Sequence, residues 1–326
     1  MHIEGRETDE KYMRRCLQLA RCGMQNAKPN PMVGAVIVDE TGRIIGEGYH
    51  VCCGKGHAEV NAIASVQPQD APLLSESTIY VSLEPCSHYG KTPPCADLII
   101  SKGVKRVVCG CVDPFAKVQG RGIRKLREAG IAVTVGVLER ECIELNRRFM
   151  TYNTLRRPYI TLKWAQSADG VMGIAGQRVH FSSPFTQMLV HKLRSESDAI
   201  LVGRGTLEAD HPLLNVREWA GRAPERIVLS HTSEDNIPDG FAHFSTIEAV
   251  LQHLYTERKQ SLLVEGGAKT LQSFLDADCW DAIRVETAPF CLGEGIRAPQ
   301  LPPHLRQISR AEYDGRIITT FERIQD

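Results

Sequence analysis

Neither sign of charge predominates in this 326-residue chain: 39 Lys and Arg face 39 Asp and Glu, for a formal net charge of zero. A balanced chain has no field to draw nucleic acid or an anionic membrane surface, so neither is an expected partner. No stretch approaches the roughly 20 apolar residues of a membrane span. The opening Met1-His2-Ile3-Glu4-Gly5-Arg6 is polar, with no apolar signal segment. Internal repeats and low-complexity tracts are missing too. The eleven cysteines are odd in number and irregularly spaced, which is no disulfide framework, and a reducing cytoplasm is the expected compartment. Most of them, Cys16, Cys22, Cys109, Cys111, Cys142, Cys279 and Cys291, read as small apolar packing residues. The length favours two domains, each with its own core.

What is present centres on one stretch. His57-Ala58-Glu59 precedes an apolar run, Thr78-Ile79-Tyr80-Val81-Ser82-Leu83, which leads into Glu84-Pro85-Cys86 and, after a Ser-His-Tyr-Gly-Lys-Thr-Pro-Pro loop, Cys95. One imidazole and two thiols are zinc-type ligands, and three of them leave a fourth position for water. Glu59 adds a carboxylate that is not a ligand, which zinc deaminases use to carry the proton from water to the leaving amine. A structural site would close with four ligands. Cys86 and Cys95 follow Pro85 and Pro94 at expected helix starts, where unpaired N–H groups favour a thiolate. Glu59 lies two residues beyond His57, and a first turn that is not yet helical lets both side chains face one pocket. The general deaminase signature has two residues between its cysteines, whereas eight stand here. A rival ligand set is His50, Cys52, Cys53 and His88, although the adjacent Cys52 and Cys53 would point apart in an extended segment.

Periodicity places these residues on an α/β framework. Helices are expected over 10–25, 57–66, 94–102, 121–129 and 138–154, with a hairpin of strands 34–38 and 43–50 and strands over 78–83, 106–112 and 132–137. A boundary falls at Arg156-Arg157-Pro158, and the alternation restarts. Strands are expected over 159–164, 198–202, 226–230, 261–264, 282–287 and 315–323, and helices over 183–194, 246–258 and 269–275. The last strands suggest an antiparallel finish to a mostly parallel sheet. Gly203-x-Gly205 lacks the third glycine of the dinucleotide fingerprint. Gly266-Gly267, between a strand and a helix, is better placed for a phosphate.

Longer motifs carry a resemblance. Asn30-Pro31-x-Val33-Gly34, Gly48-Tyr49-His50, His57-Ala58-Glu59 and Glu84-Pro85-Cys86-Ser87-His88-x-Gly90-x-Thr92-Pro93-Pro94-Cys95 resemble the deaminase half of the bifunctional riboflavin-biosynthesis deaminase/reductases, whose spacer is typically this long. Asp113-Pro114 and Gly120-Arg121-Gly122 extend the match. Leu162-Lys163, Ser167-x-Asp169-Gly170, Leu193-Arg194, the 198–203 strand, Thr206, Ala209-Asp210-x-Pro212-x-Leu214-x-x-Arg217 and Val264-Glu265-Gly266-Gly267 resemble the reductase half.

The resemblance implies a cytidine-deaminase-like N-terminal domain, a mixed sheet flanked by helices, over 1–155. It implies a dihydrofolate-reductase-like α/β domain over 156–326. The first would remove the 2-amino group of 2,5-diamino-6-(ribosylamino)-pyrimidinone 5′-phosphate. The second would reduce the ribosyl group to ribityl with NADPH. Implied zinc ligands are His57, Cys86 and Cys95, one ion per chain, with Glu59 catalytic. Asn30, His50, Arg194, Leu214, Arg217 and Glu265 fall at substrate positions; Ala165, His180, Thr206, Asp210, Gly267, Ala268, Lys269 and Thr270 fall at cofactor positions. Two guanidinium groups suit a ribose phosphate. The chain departs from the family pattern at Val179-His180-Phe181 and over 210–215. A homo-oligomer, dimer or tetramer, is the expected assembly. Two other readings stand beside this one: a deaminase whose second domain only binds a nucleotide or partner, and a zinc-stabilised scaffold without catalysis.

Overall fold

The computed structural model describes residues 3–89, 93–115, 119–231 and 237–324. Two compact units divide at Leu155/Arg156. In the first, elements follow in the order α1 (Ile3–Arg21), β1 (Gly34–Val38), β2 (Ile44–Tyr49), α2 (Ala58–Ala64), a 3-10 segment (Pro68–Glu76), β3 (Thr78–Leu83), α3 (Cys95–Ser101), β4 (Arg106–Cys111), α4 (Arg121–Glu128), β5 (Ala132–Val135), α5 (Glu139–Leu145) and α6 (Arg147–Leu155). The sheet order is β2-β1-β3-β4-β5, antiparallel across the hairpin and β1/β3, parallel from β3 to β5.

Side-chain alternation along these strands feeds two cores, one on each face. Ala35, Ile37, Ile79, Val81 and Val107 pack with Ala58 and Ala62 of α2 and Ala96 and Ile99 of α3. Val36, Val38, Tyr80 and Val108 pack with Tyr12, Met13, Cys16 and Leu17 of α1. Gly48 admits α2 to the hairpin: a Cβ there would lie 2.3 Å from the Ala62 nitrogen and 2.7 Å from the Ala58 oxygen. That close approach sets the helix start bearing His57 and Glu59 against the sheet.

The second unit comprises β6 (Tyr159–Gln166), β7 (Val171–Gly173), α7 (Pro184–Glu196), β8 (Ala199–Gly203), α8 (Arg204–Asp210), β9 (Glu225–Leu229), β10 (Phe241–Phe244), α9 (Ile247–Thr256), β11 (Ser261–Val264), α10 (Ala268–Asp276), β12 (Ala282–Thr287), β13 (Ile296–Arg297), β14 (Leu305–Tyr313) and β15 (Arg316–Arg323). Its main sheet runs β10-β9-β8-β11-β6-β12-β15-β14; β10 to β12 are parallel, and β15 and β14 close the sheet antiparallel. Strands buried on both faces need apolar residues at successive positions, as Ala199-Ile200-Leu201-Val202 and Leu262-Leu263-Val264 provide. Leu201, Leu262 and Val264 pack with Val250 and Leu254 of α9 and Leu271 and Phe274 of α10. On the opposite face Ile200, Val202 and Leu263 pack with Leu207 and Leu214.

Several expectations are corrected. The helix expected over 138–154 is two helices: Asn146, at φ −106 and ψ 18, interrupts it. Its side-chain amide pairs instead with both backbone groups of Met32, each at 2.8 Å. β10 and β14, both at sheet edges, are additions to the expected strands: β10 is only four residues long, too short for a pattern, and β14 buries almost none of its side chains. All eleven cysteines are free, and Cys16, Cys109, Cys111 and Cys142 are buried as packing residues, but Cys22 and Cys291 are exposed.

The Ser167-x-Asp169-Gly170 motif is a structural knot. Asp169 accepts the Ser167 hydroxyl and the backbone N–H groups of Leu292 (3.1 Å) and Gly293 (2.7 Å), and these bonds hold its carboxyl down at about 2. Its folded-state value lies below the ordinary 3.8, so its contribution to stability is complete above that pH and is lost as pH falls toward 2. Denaturant unfolding should therefore show Asp169→Asn to be less stable than the parent at pH 6, with the difference shrinking below pH 4. A difference independent of pH would refute this role.

Candidate active sites

His57 occupies the N-cap of α2 in extended conformation, at φ −71 and ψ 170, and so lies outside the helix. Glu59 is inside it, which lets two residues so close in sequence share one pocket. Cys95 opens α3 as expected, but Cys86 lies in the irregular segment after β3 rather than at the helix start expected of it, because the chain turns from the strand into a loop there. The Sγ atoms of Cys86 and Cys95 lie 3.5 and 3.4 Å from His57 Nδ1, and all three ligand atoms fall within 4.8 Å of one another. A tetrahedral zinc with Zn–S near 2.3 Å and Zn–N near 2.0 Å would separate sulfur from nitrogen by about 3.5 Å, so the trio fits the ion. Among the described residues no other such group occurs, and the rival His50, Cys52, Cys53 and His88 form none. Gly90 and Thr92 of the intervening loop lie outside the described residues.

Electrostatics follow from burial. The Cys95 thiol and its own backbone N–H, 3.3 Å from Cys86 Sγ, together with His57, hold Cys86 down at about 4. Cys95 shifts the opposite way, because its thiol hydrogen is bonded to the Cys86 sulfur and burial disfavours a second charge. Glu59 is 3% exposed, and burial first, then Cys86, pushes its carboxyl up to about 7. Its carboxyl also contacts the Cys95 thiol.

Around this trio the chain supplies oriented polar groups. His50 Nδ1 lies 3.1 Å from the Gly56 carbonyl, which can only accept, so Nδ1 carries the hydrogen and Nε2 accepts from Asn30 Nδ2 at 3.0 Å. The His50 ring stands edge-on to His57 at 5.4 Å. Burial lowers the His50 pKa and keeps the ring neutral. Two residues quoted in the motifs without a role gain one. Glu84 is buried and accepts backbone N–H groups from Asp113 (3.2 Å), Gly120 (2.8 Å) and Gly122 (2.9 Å), tying the start of α4 to the strand that leads to Cys86. Asp113 is buried beside them and pushed up to about 6 by that burial.

In the second unit, adjacent parallel strands β8 and β11 bring their C-terminal ends together. A Cβ on Gly203 would lie 2.1 Å from Thr270 Oγ1, and one on Gly267 would lie 3.0 Å from Thr206 Oγ1. Thr206, Gly267, Ala268 and Thr270 therefore cluster where open α/β sheets take nucleotides. Lys269 and Asp210 are exposed on α10 and α8, and His180 is exposed in the segment before α7. Ala165 shares a face of β6 with Lys163, two residues away.

The expected substrate residues separate. Arg194, 8% exposed, places Nε and Nη2 on the two Glu265 oxygens at 3.0 and 2.8 Å. Its fork is thus occupied by a carboxylate rather than open to a phosphate. Lys163 Nζ stands 3.9 Å from the same carboxylate. Burial pushes Glu265 up, yet Lys163 and Arg194 overcome it and hold the group below its ordinary value. Burial also lowers the Lys163 ammonium. Leu214 is 3% exposed and its side chain belongs to the core, so only its backbone can meet a ligand. Arg217 is exposed and contacts Asn215 Oδ1 (3.1 Å) and Glu218 Oε1 (3.4 Å). Lys163 escaped the candidate residues because a lysine in a strand gives no signal until its neighbours are known.

Comparison with known proteins decides the family. Residues 6–111 match the cytidine and deoxycytidylate deaminase zinc-binding region, and residues 158–318 match the RibD C-terminal domain. The riboflavin biosynthesis protein RibD of Aquifex aeolicus is 40% identical over 326 residues, spanning 89% of this chain and 90% of its own. The chain belongs to the RibD family. RibD of Escherichia coli is 35% identical, over 93% of this chain and 94% of its own. A solved Thermotoga maritima structure, described as a diaminohydroxyphosphoribosylaminopyrimidine deaminase/5-amino-6-(5-phosphoribosylamino)uracil reductase, is 33% identical with a TM-score of 0.89, covering 98% of this chain and 100% of that one. The cofactors of the RibD pair of domains are zinc and NADPH. The sulfur–nitrogen spacing fits the first, and the glycine-lined strand ends fit the second.

Proposed function

We propose that this chain catalyses two successive steps of riboflavin biosynthesis: hydrolytic deamination of 2,5-diamino-6-(5-phosphoribosylamino)pyrimidin-4(3H)-one, then reduction of its ribosyl side chain with NADPH. Residues 1–155 are assigned the first step and residues 156–326 the second. The observation that carries the reading is the trio His57, Cys86 and Cys95 with buried Glu59 beside it, a catalytic rather than a structural donor count. Bound zinc supplies activation of water as a nucleophile near neutral pH. Glu59, buried beside the trio, can take a proton from water and return it to the departing amine. Asn30 and the neutral His50 present a fixed hydrogen-bond pair for the pyrimidine.

In the second step C1′ gains a hydride from NADPH, its bond to the ring oxygen breaks, and that oxygen gains a proton. Lys163, whose ammonium is made more acidic by burial, is the proton donor this reading assigns, with Glu265 and Arg194 fixing it in place. Arg217, exposed, whose side chain among the described residues contacts Asn215 and Glu218 of its own loop, is assigned the phosphate. No helix among the described residues is long and apolar enough to cross a membrane. Free cysteines favour a reducing, cytoplasmic compartment. β14, with no neighbour on its outer side among the described residues, supports a homo-oligomer, dimer or tetramer, to be tested by light scattering.

The deciding experiment is incubation with the diaminopyrimidine phosphate, with and without NADPH, followed by mass analysis. Without NADPH one amino group should be exchanged for oxygen; with it the product should gain two further hydrogens. Deamination without any NADPH oxidation would leave a deaminase with a binding domain. Arg217→Ala should raise KM for the deaminated substrate roughly tenfold or more, the loss of one charge-assisted bond, without changing deamination. An unchanged KM would remove Arg217 from the phosphate site.

A further inference from the structure

We infer that His191 is a positioning residue for the reductase step: its imidazole latches the loop that carries Arg217. The inference rests on the reading of Arg217 given above. His191 sits on α7, one turn before Arg194, and is 0% exposed. Its Nδ1 lies 2.9 Å from the backbone oxygen of Asn215. A carbonyl only accepts, so Nδ1 carries the hydrogen and donates it. The Arg217 N–H, 3.4 Å from the same nitrogen, is then a packing contact, because a protonated Nδ1 has no lone pair in the ring plane to offer. Nε2 is left bare and buried with no hydrogen-bond partner among the described residues, facing Glu218 Oε1 at 3.5 Å. Burial, with Arg194 and Arg217, lowers the His191 pKa and so keeps this neutral tautomer.

Asn215 to Glu218 thus close around one side chain. Arg194 Nη1 reaches the same Asn215 oxygen at 3.4 Å, so two residues of one helix face grip one carbonyl. The grip has something to hold. His211 and Leu214, at φ +42 and +49, both adopt the left-handed region, which non-glycine residues keep only where the surroundings impose it. The base of the latch is itself anchored: Ser182 and Thr186, at the start of α7, bond to Glu286 of β12 at 2.9 and 2.6 Å. Within this loop only the side chains of Asn215 and Glu218 contact Arg217 among the bonds described, so its direction depends on where the backbone is pinned.

The two ring nitrogens make a discriminating test possible. An asparagine amide can stand where Nδ1 stands, whereas a glutamine amide reaches toward Nε2. His191→Gln should raise KM for the deaminated phosphoribosyl substrate about tenfold, with kcat and the KM for NADPH little changed. His191→Asn should stay within about threefold of the parent. In an Arg217→Ala background His191→Gln should add less than about threefold, since the latch acts through Arg217. Deaminase activity and thermal melting report folding, and His191→Leu replaces the glutamine variant, with the same expectations, if that one does not fold. Equal effects of Asn and Gln, a defect in kcat alone, or full additivity with Arg217→Ala would overturn the latch. An unchanged KM in Arg217→Ala itself would instead overturn the reading of Arg217.

Discussion

Replacing Cys95 by serine should strip most of the zinc from the protein and abolish deamination while leaving NADPH oxidation on pre-deaminated substrate. Three side chains form the described ligand trio, so losing one leaves two, and a serine oxygen is a poorer ligand than a thiolate for this borderline-soft ion. The expected loss of affinity exceeds the roughly 10–100-fold that changes outside the ligand set produce. Metal content after dialysis against a chelator measures the effect. Retention of zinc by this variant, with loss on changing Cys52 or Cys53, would move the site elsewhere.

Glu59→Gln separates proton transfer from metal binding. The amide has the shape of the carboxyl but cannot carry the proton, so zinc should stay while deamination falls by roughly 10²–10⁴-fold. Near-parental deamination by this variant would eliminate Glu59 as the proton carrier. Stability should move in a defined direction too. In the metal-free protein the Glu59 carboxyl is raised to about 7 from the ordinary 4.5, so the native state holds its proton more tightly than the unfolded chain. Stability is then lost as pH rises through that interval, and Glu59→Gln, which has no proton to lose, should gain on the parent above pH 7. Denaturant midpoints of metal-free parent and variant at pH 5 and pH 8 give the comparison.

Much of the fold was legible because its strands are short apolar runs bounded by turn residues. β1, β3, β11 and β12 occupy the expected positions residue for residue. The edge strand β14 was not legible, since a strand that buries almost nothing has no apolar pattern to read, whereas the edge strands β2 and β5 of the first sheet carry enough apolar residues to be read. Neither was the break at Asn146, whose cause is a pairing with Met32 over a hundred residues away in sequence. In the deaminase unit His57, Cys86, Cys95 and Glu59 stand out as candidates in the sequence because zinc chemistry demands those residue types; helix starts carry His57 and Cys95, whereas Cys86 lies in the loop after β3.

The reductase unit shows the opposite case. Arg194 and Arg217 look equivalent as two guanidinium groups in a motif, yet one is buried on Glu265 and the other is exposed. Leu214 matches a ligand position while its side chain fills the core. Lys163, Glu84, Asp113 and His191 acquire their roles only from neighbours brought by other strands and helices. Which chemistry the chain carries follows from residue types in order, because a metal ligand or a proton carrier is defined by its functional group. Which charges are paired, which are exposed and which nitrogen of a histidine holds the proton emerge with the packed fold, because burial and hydrogen-bond partners are properties of packing.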